Sequence, residues 1–142
     1  MDGSKEIFLV EDDKDDQDLF IECIEKIDNA KLYGVLQNGI EALEKLENTA
    51  KLPDMIFMDV NMPLMNGVEC LTEIMKNSRI KDIPVVMLST AMDYAHLTSF
   101  LGAKAFINKT AGSETLHTKV EQMIKLQLFG NTAISANPDY SA

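Results

Sequence analysis

Short apolar runs alternate with longer segments of helical spacing along most of the chain. Five runs read as buried strands: Ile7–Val10, Leu32–Leu36, Met55–Met58, Val85–Leu88 and Ala105–Ile107. Between and after them, apolar residues recur every three or four positions, which predicts five helices with one core-facing stripe each. The stripes are Leu19, Phe20, Cys23, Ile24 and Ile27; Ile40, Leu43 and Leu46; Val68, Leu71, Ile74 and Met75; Leu97, Phe100 and Leu101; and Leu116, Val120, Met123 and Ile124. Asn38-Gly39, Asn66-Gly67 and Gly102 punctuate the joints as turn or helix-end residues.

Strict alternation of strand and helix predicts an α/β fold, because parallel strands need long crossover connections and helices supply them. The expected object is a three-layer α/β/α domain around a five-stranded parallel sheet. From Gly130 onward the sequence GNTAISANPDYSA loses periodicity and reads as a flexible tail. No internal repeat or low-complexity block interrupts the pattern.

The 142 residues fit one domain of ordinary size, so any output is expected from this domain itself. Lys and Arg number 13 against 23 Asp and Glu, a net charge of −10 that argues against nucleic acid and anionic membranes as partners. Cationic metals and basic partner surfaces are the natural counterparts. Cys23 and Cys70 are far apart within apolar helical patterns and read as reduced, buried fillers. The polar start leads straight into the first strand, and no apolar stretch is long enough to span a membrane, so a soluble cytoplasmic protein is expected.

In an open parallel sheet, ligands bind outside the carboxyl ends of the strands, where the strand order reverses. The residues just past each strand therefore matter most. Glu11-Asp12-Asp13 comes after the first, Asp59 after the third, Ser89-Thr90 after the fourth and Asn108-Lys109-Thr110 after the fifth. Carboxylates sharing one rim repel each other and need a cation, for which Mg²⁺ with its preference for oxygen ligands is suited. Asp59 can serve as a nucleophile forming an acyl phosphate, Lys109 can pair with the transferred phosphoryl group, and Ser89 can donate its hydroxyl to it.

Plainer readings compete. Asp13, Asp15 and Asp16 read as acidic residues favoured at a helix start, and Asp59 alone would be an ordinary strand-end aspartate. The run from Glu11 to Asp16 fails as a calcium loop, lacking the glycine and distal glutamate. His96 and His117 read as solvent-facing helix residues. The methionines are mostly core filling, with Met62, Met65 and Met92 in loops where they are placed to line a partner groove.

Four stretches, FLVEDD at 8–13, MDVNMP at 58–63 followed by Asn66-Gly67, VVMLST at 85–90 and AFINKT at 105–110, resemble the receiver domains of two-component response regulators over about residues 5–128. The resemblance implies a flavodoxin-like strand order of 2-1-3-4-5, with the receiver over residues 1–129 and the tail over 130–142. It implies Mg²⁺ bound by Asp12, Asp59 and the backbone carbonyl of Asn61, with Glu11 acting through water. Asp59 would be the phosphoacceptor, Ser89 the switching hydroxyl, Lys109 the salt-bridge partner of the phosphoryl group, and Phe106 the aromatic whose rotamer follows the switch. A sensor histidine kinase is the implied phosphoryl donor. Output would be a downstream protein or a self-dimer through the face of the fourth helix, fifth strand and fifth helix.

This chain departs from the usual pattern at Glu11 for Asp, Ser89 for Thr, Phe106 for Tyr, and Thr110 for a proline preceded by a cis peptide. A non-proline cis bond costs roughly 3–4 kcal/mol, so the fold either forces it or takes another path there. Ser89-Thr90 and Lys109-Thr110 resemble the small regulators that partner phytochrome-type kinases. Other readings are a phosphorelay carrier, a Mg²⁺-dependent phosphohydrolase with Asp59 as nucleophile, and a degenerate receiver used only for binding. The phosphohydrolase expects a second aspartate where Asn61 stands.

Overall fold

The computed structural model describes residues 3–91 and 93–128. The tail expected at 130–142 and Met92 lie outside these residues. The elements are β1 (Lys5–Val10), α1 (Lys14–Glu25), β2 (Ala30–Leu36), α2 (Gly39–Asn48), β3 (Met55–Asp59), α3 (Gly67–Met75), β4 (Val85–Ser89), α4 (Tyr94–Leu101), β5 (Ala105–Asn108) and α5 (Ser113–Leu128), with a short 3₁₀ turn, Lys109–Ala111, before α5. The strands form one parallel sheet in the order β2-β1-β3-β4-β5.

Alternation along the strands divides the core in two, since successive side chains point to opposite faces. Ile7 and Leu9 of β1 pack with Phe20, Cys23 and Ile24 of α1 and with Leu116, Val120 and Ile124 of α5. Phe8 and Val10 point the other way, against Ala42 and Leu46 of α2 and Cys70, Leu71 and Ile74 of α3. Both faces of the sheet are thus covered, which is why its strands are apolar at consecutive positions. Both cysteines are free and buried, as expected.

The joints are built by side-chain caps. Asn38 accepts the Glu41 N–H at the start of α2, and Asn66 accepts the Glu69 N–H while the Glu69 carboxylate returns to the Asn66 N–H, a reciprocal capping box. Gly102 closes α4 in the left-handed conformation at φ 115°, as its position foreshadows.

Two helices turn differently from the expectation. On α4 the buried residues are Ala95 and Thr98, while Leu97 and Phe100 are 44% and 87% exposed. The Thr98 hydroxyl donates to the Tyr94 carbonyl at 2.8 Å, so this polar residue enters the interior without an unsatisfied donor. On α2, Ala42 and Leu46 face the core and Ile40 is 41% exposed. Helical spacing defines a stripe but not which stripe a neighbouring sheet accepts.

Candidate functional site

The carboxyl edge of the sheet gathers the chemistry. The strands run one residue further than the apolar runs suggest, so Asp59, Ser89 and Asn108 are the last residues of β3, β4 and β5. Asp59 pairs with Leu88, and Ser89 with Asn108, in the sheet register. Glu11, just past β1, is held by its N–H donating to the Leu36 carbonyl at 2.8 Å and by its own carbonyl accepting from the Gln17 amide at 2.6 Å. Asp13 begins α1 as its N-cap, accepting the Asp16 N–H at 3.0 Å.

Glu11, Asp12 and Asp59 each bring a carboxylate oxygen to within 4.8 Å of the others. Glu11 and Asp59 are buried and Asp12 is exposed at the lip. Burial pushes the Glu11 carboxyl up to about 7, with the Asp59 charge adding to the rise and Lys109 opposing it. Burial likewise raises Asp59, against the pull of Lys109. Carboxylates this close, two of them buried, fit a hard divalent cation that would relieve their mutual repulsion.

Lys109 enters from β5. Its ammonium lies 2.8 Å from Glu11 Oε1, 2.7 Å from Asp16 Oδ2 and 3.4 Å from Asp59 Oδ1. Burial works against that ammonium, but hydrogen bonds to Asp16 and Glu11 and the nearby carboxylate charges outweigh it and hold its pKa above the ordinary value. Among the described residues no peptide bond is cis, so the chain takes another path at Lys109-Thr110. The Asn108 side chain accepts from the Thr110 N–H at 2.9 Å and hydroxyl at 2.6 Å, starting the 3₁₀ turn.

Ser89 is fully buried, and its Oγ accepts the Ala91 N–H at 3.0 Å, which leaves the hydroxyl proton available for donation. Phe106 is also fully buried, in the core that includes Ala95 of α4. Asn61 lies exposed two residues beyond Asp59. Met62 is buried in that same core and Met65 packs against it, so both fill the interior more than they line an open groove.

Asp16 is the residue that sequence reasoning misses. The pattern groups it with Asp13 and Asp15 at the helix start, yet it makes the shortest contact to Lys109. Its place as the third residue of α1, where the helix abuts the strand ends, is the one signal in the chain that points to it. His96 is exposed as expected, whereas His117 is half-buried, with its Nε2 4.0 Å from Glu121 one turn along α5. Among the described residues, no helix is long and apolar enough to cross a membrane.

Comparison with known proteins places this arrangement. A solved structure of the phosphorylated cyanobacterial phytochrome response regulator RcpA superposes with a TM-score of 0.81 at 32% identity, covering 91% of this chain and 97% of that one. The Mn²⁺-bound form of response regulator Rcp1 gives 0.76 at 30% identity, covering 87% and 94%. A protein-glutamate methylesterase/protein-glutamine glutaminase of Treponema denticola is 39% identical over 128 residues, or 86% of this chain. The chain spans only 33% of that enzyme's length. The family model for the response regulator receiver domain matches residues 7–121, and the chain belongs to that family.

Proposed function

We propose that the chain accepts a phosphoryl group from a sensor histidine kinase onto Asp59, in a Mg²⁺-dependent reaction, and signals through phosphorylation-dependent binding or dimerisation. The observation that carries this reading is the Lys109 ammonium 3.4 Å from Asp59 Oδ1, with Asp59 in a three-carboxylate group. Phosphoryl transfer asks a protein chiefly for positioning and charge neutralisation, and this rim supplies both.

Asp12, Asp59 and the Asn61 backbone carbonyl would hold Mg²⁺ directly, with Glu11 acting through water. When bound, Mg²⁺ supplies positive charge against the pooled carboxylates and the incoming phosphoryl oxygens. Asp59 attacks phosphorus, the phosphorus–nitrogen bond to the donor histidine breaks, and that nitrogen keeps the electron pair and takes a proton. Lys109 pairs with the phosphoryl group and Ser89 donates its hydroxyl to it. Hydrolysis adds water at phosphorus and returns the Asp59 carboxylate and inorganic phosphate.

Phe106 lies inside the same core as the α4 residue Ala95, and we infer that it is the side chain through which a change at Ser89 would reach α4. The exposed Phe100 and Leu97 on α4 support output through the α4–β5–α5 face. The names of the similar regulators, one phosphorylated and one Mn²⁺-bound, accord with both halves of the chemistry. The net charge of −10 speaks against nucleic acid as the output, and the cytoplasm is the working compartment we assign. The phosphohydrolase alternative lacks its general acid, because Asn61 carries an amide.

The test is incubation with a small acyl phosphate, with and without Mg²⁺, followed by intact mass. Gain of one phosphoryl group that requires Mg²⁺ and disappears in Asp59→Asn is expected. Labelling that persists in Asp59→Asn would refute the assignment.

A further inference from the structure

We propose that Asp16 positions the Lys109 ammonium, holding it against α1 and off Asp59 until a phosphoryl group arrives there. This rests on the reading of Asp59 as phosphoacceptor and extends it to a residue with no assigned role.

An ammonium has three donors and no acceptor. Lys109 commits two of them at hydrogen-bond distance, 2.7 Å to Asp16 Oδ2 and 2.8 Å to Glu11 Oε1, while its contact to Asp59 Oδ1 at 3.4 Å is longer than a normal N–H···O bond. The lysine side chain is only 14% exposed and Glu11 is buried, whereas Asp16 is 41% exposed, so the contact to Glu11 is sheltered from water and the one to Asp16 is partly screened. Glu11 and Asp59 both belong to the group of carboxylates suited to a metal, and Asp16 does not. A cation that engages that group leaves Asp16 as the carboxylate whose charge is answered by Lys109.

A helix-start preference does not account for this arrangement. Asp15 sits in the same first turn, and Asp13 already caps the helix by accepting the Asp16 N–H. That backbone bond fixes where the Asp16 side chain starts from. A phosphoryl group on Asp59 adds negative charge on the far side of the ammonium and competes with Asp16 for it. Asp16, 41% exposed at the lip of the site, is also open to a docking partner, so its grip on Lys109 ties the first turn of α1 to the state of Asp59.

The test uses the full chain as wild type, Asp16→Asn and Asp16→Glu, with Asp15→Asn as the control for helix charge. In metal-free protein carrying ¹⁵N-labelled lysine, the Nζ resonance of Lys109, assigned by its loss in Lys109→Arg, should shift in Asp16→Asn, stay in place in Asp15→Asn and return toward wild type in Asp16→Glu. With saturating Mg²⁺, beryllofluoride as the phosphoryl mimic should bind Asp16→Asn about five-fold more tightly, the scale of one lost ion pair. Equal or weaker binding, or an unmoved resonance, overturns the proposal. Wild-type protein that binds no beryllofluoride refutes the phosphoacceptor reading itself, whereas wild-type binding with no difference in Asp16→Asn refutes only the role of Asp16.

Discussion

Gly67 lies so close to the backbone of Asp59 that a Cβ at its position would stand 2.2 Å from the Asp59 carbonyl oxygen and 2.9 Å from the Val60 Cα. The Gly67 N–H also donates to the Val60 carbonyl at 2.8 Å. The first residue of α3 thus sets the height at which Asp59 leaves the sheet. Gly67→Ala should destabilise the fold by about 2–3 kcal/mol, since the clash is with main chain and cannot be relieved by a rotamer. It should also slow labelling of Asp59. Thermal unfolding and the mass assay read the two effects, and an unchanged midpoint would contradict the close approach.

The raised Glu11 carboxyl predicts the pH dependence of the metal-free protein. Protons bind Glu11 more tightly in the folded chain, near 7, than in the unfolded chain, near 4.5. Its contribution to stability is therefore complete below about 4.5 and is lost as pH rises toward 7. Asp59, also raised, acts in the same direction. Lys109, raised from 10.5, stays charged throughout this window. Without divalent metal, the free energy of unfolding should fall between about pH 5 and pH 7.5, by up to about 3 kcal/mol from Glu11, and the thermal midpoint should fall with it. Glu11→Gln should flatten that slope, and stabilisation by Mg²⁺ should grow over the same interval as the carboxylates ionise. Parallel wild-type and Glu11→Gln profiles would show that this group does not titrate there.

Arg79 closes the C-terminal end of α2 from the α3–β4 connection. Its guanidinium donates to the Leu46 carbonyl at 2.5 Å and the Thr49 carbonyl at 2.6 Å, positive charge meeting the negative end of the helix. Arg79→Ala should cost about 1 kcal/mol and raise amide exchange in the last turn of α2. Arg79→Lys should recover less than half of that, because one ammonium does not reproduce a two-pronged donor. Native-like exchange in Arg79→Ala would show the contact to be energetically idle.

Phe100 and Leu97 separate surface function from folding. Phe100 is 87% exposed, so Phe100→Glu should change stability by less than about 0.5 kcal/mol. If α4 belongs to the output face, the same substitution abolishes phosphorylation-dependent self-association or partner binding, measured by sedimentation with and without beryllofluoride. Intact association in Phe100→Glu would move the output surface elsewhere.

The layering of this domain was legible in the chain because its causes are local. A run such as Phe8–Val10, short and apolar at consecutive positions, reads as a strand covered on both faces, and the spacing of Leu116, Val120 and Ile124 reads as one face of a helix. Parallel topology then sends every strand end to one rim, so Glu11, Asp59, Ser89 and Lys109 are expected together from the chain alone. Three features emerged only in the assembled fold. Leu97 and Phe100 face outward because the sheet accepted Ala95 and Thr98. The turn after β5 closes locally, with the Asn108 side chain accepting from the Thr110 N–H and hydroxyl, around a Lys109-Thr110 peptide that keeps the trans form ordinary for a non-proline bond. Asp16 joins Lys109, 93 positions further along the chain, because α1 begins at the edge where β5 ends. Propensity and periodicity act over a few residues, whereas the choice between two possible faces, or among neighbouring carboxylates for one ammonium, is settled by what packing brings within a few ångströms.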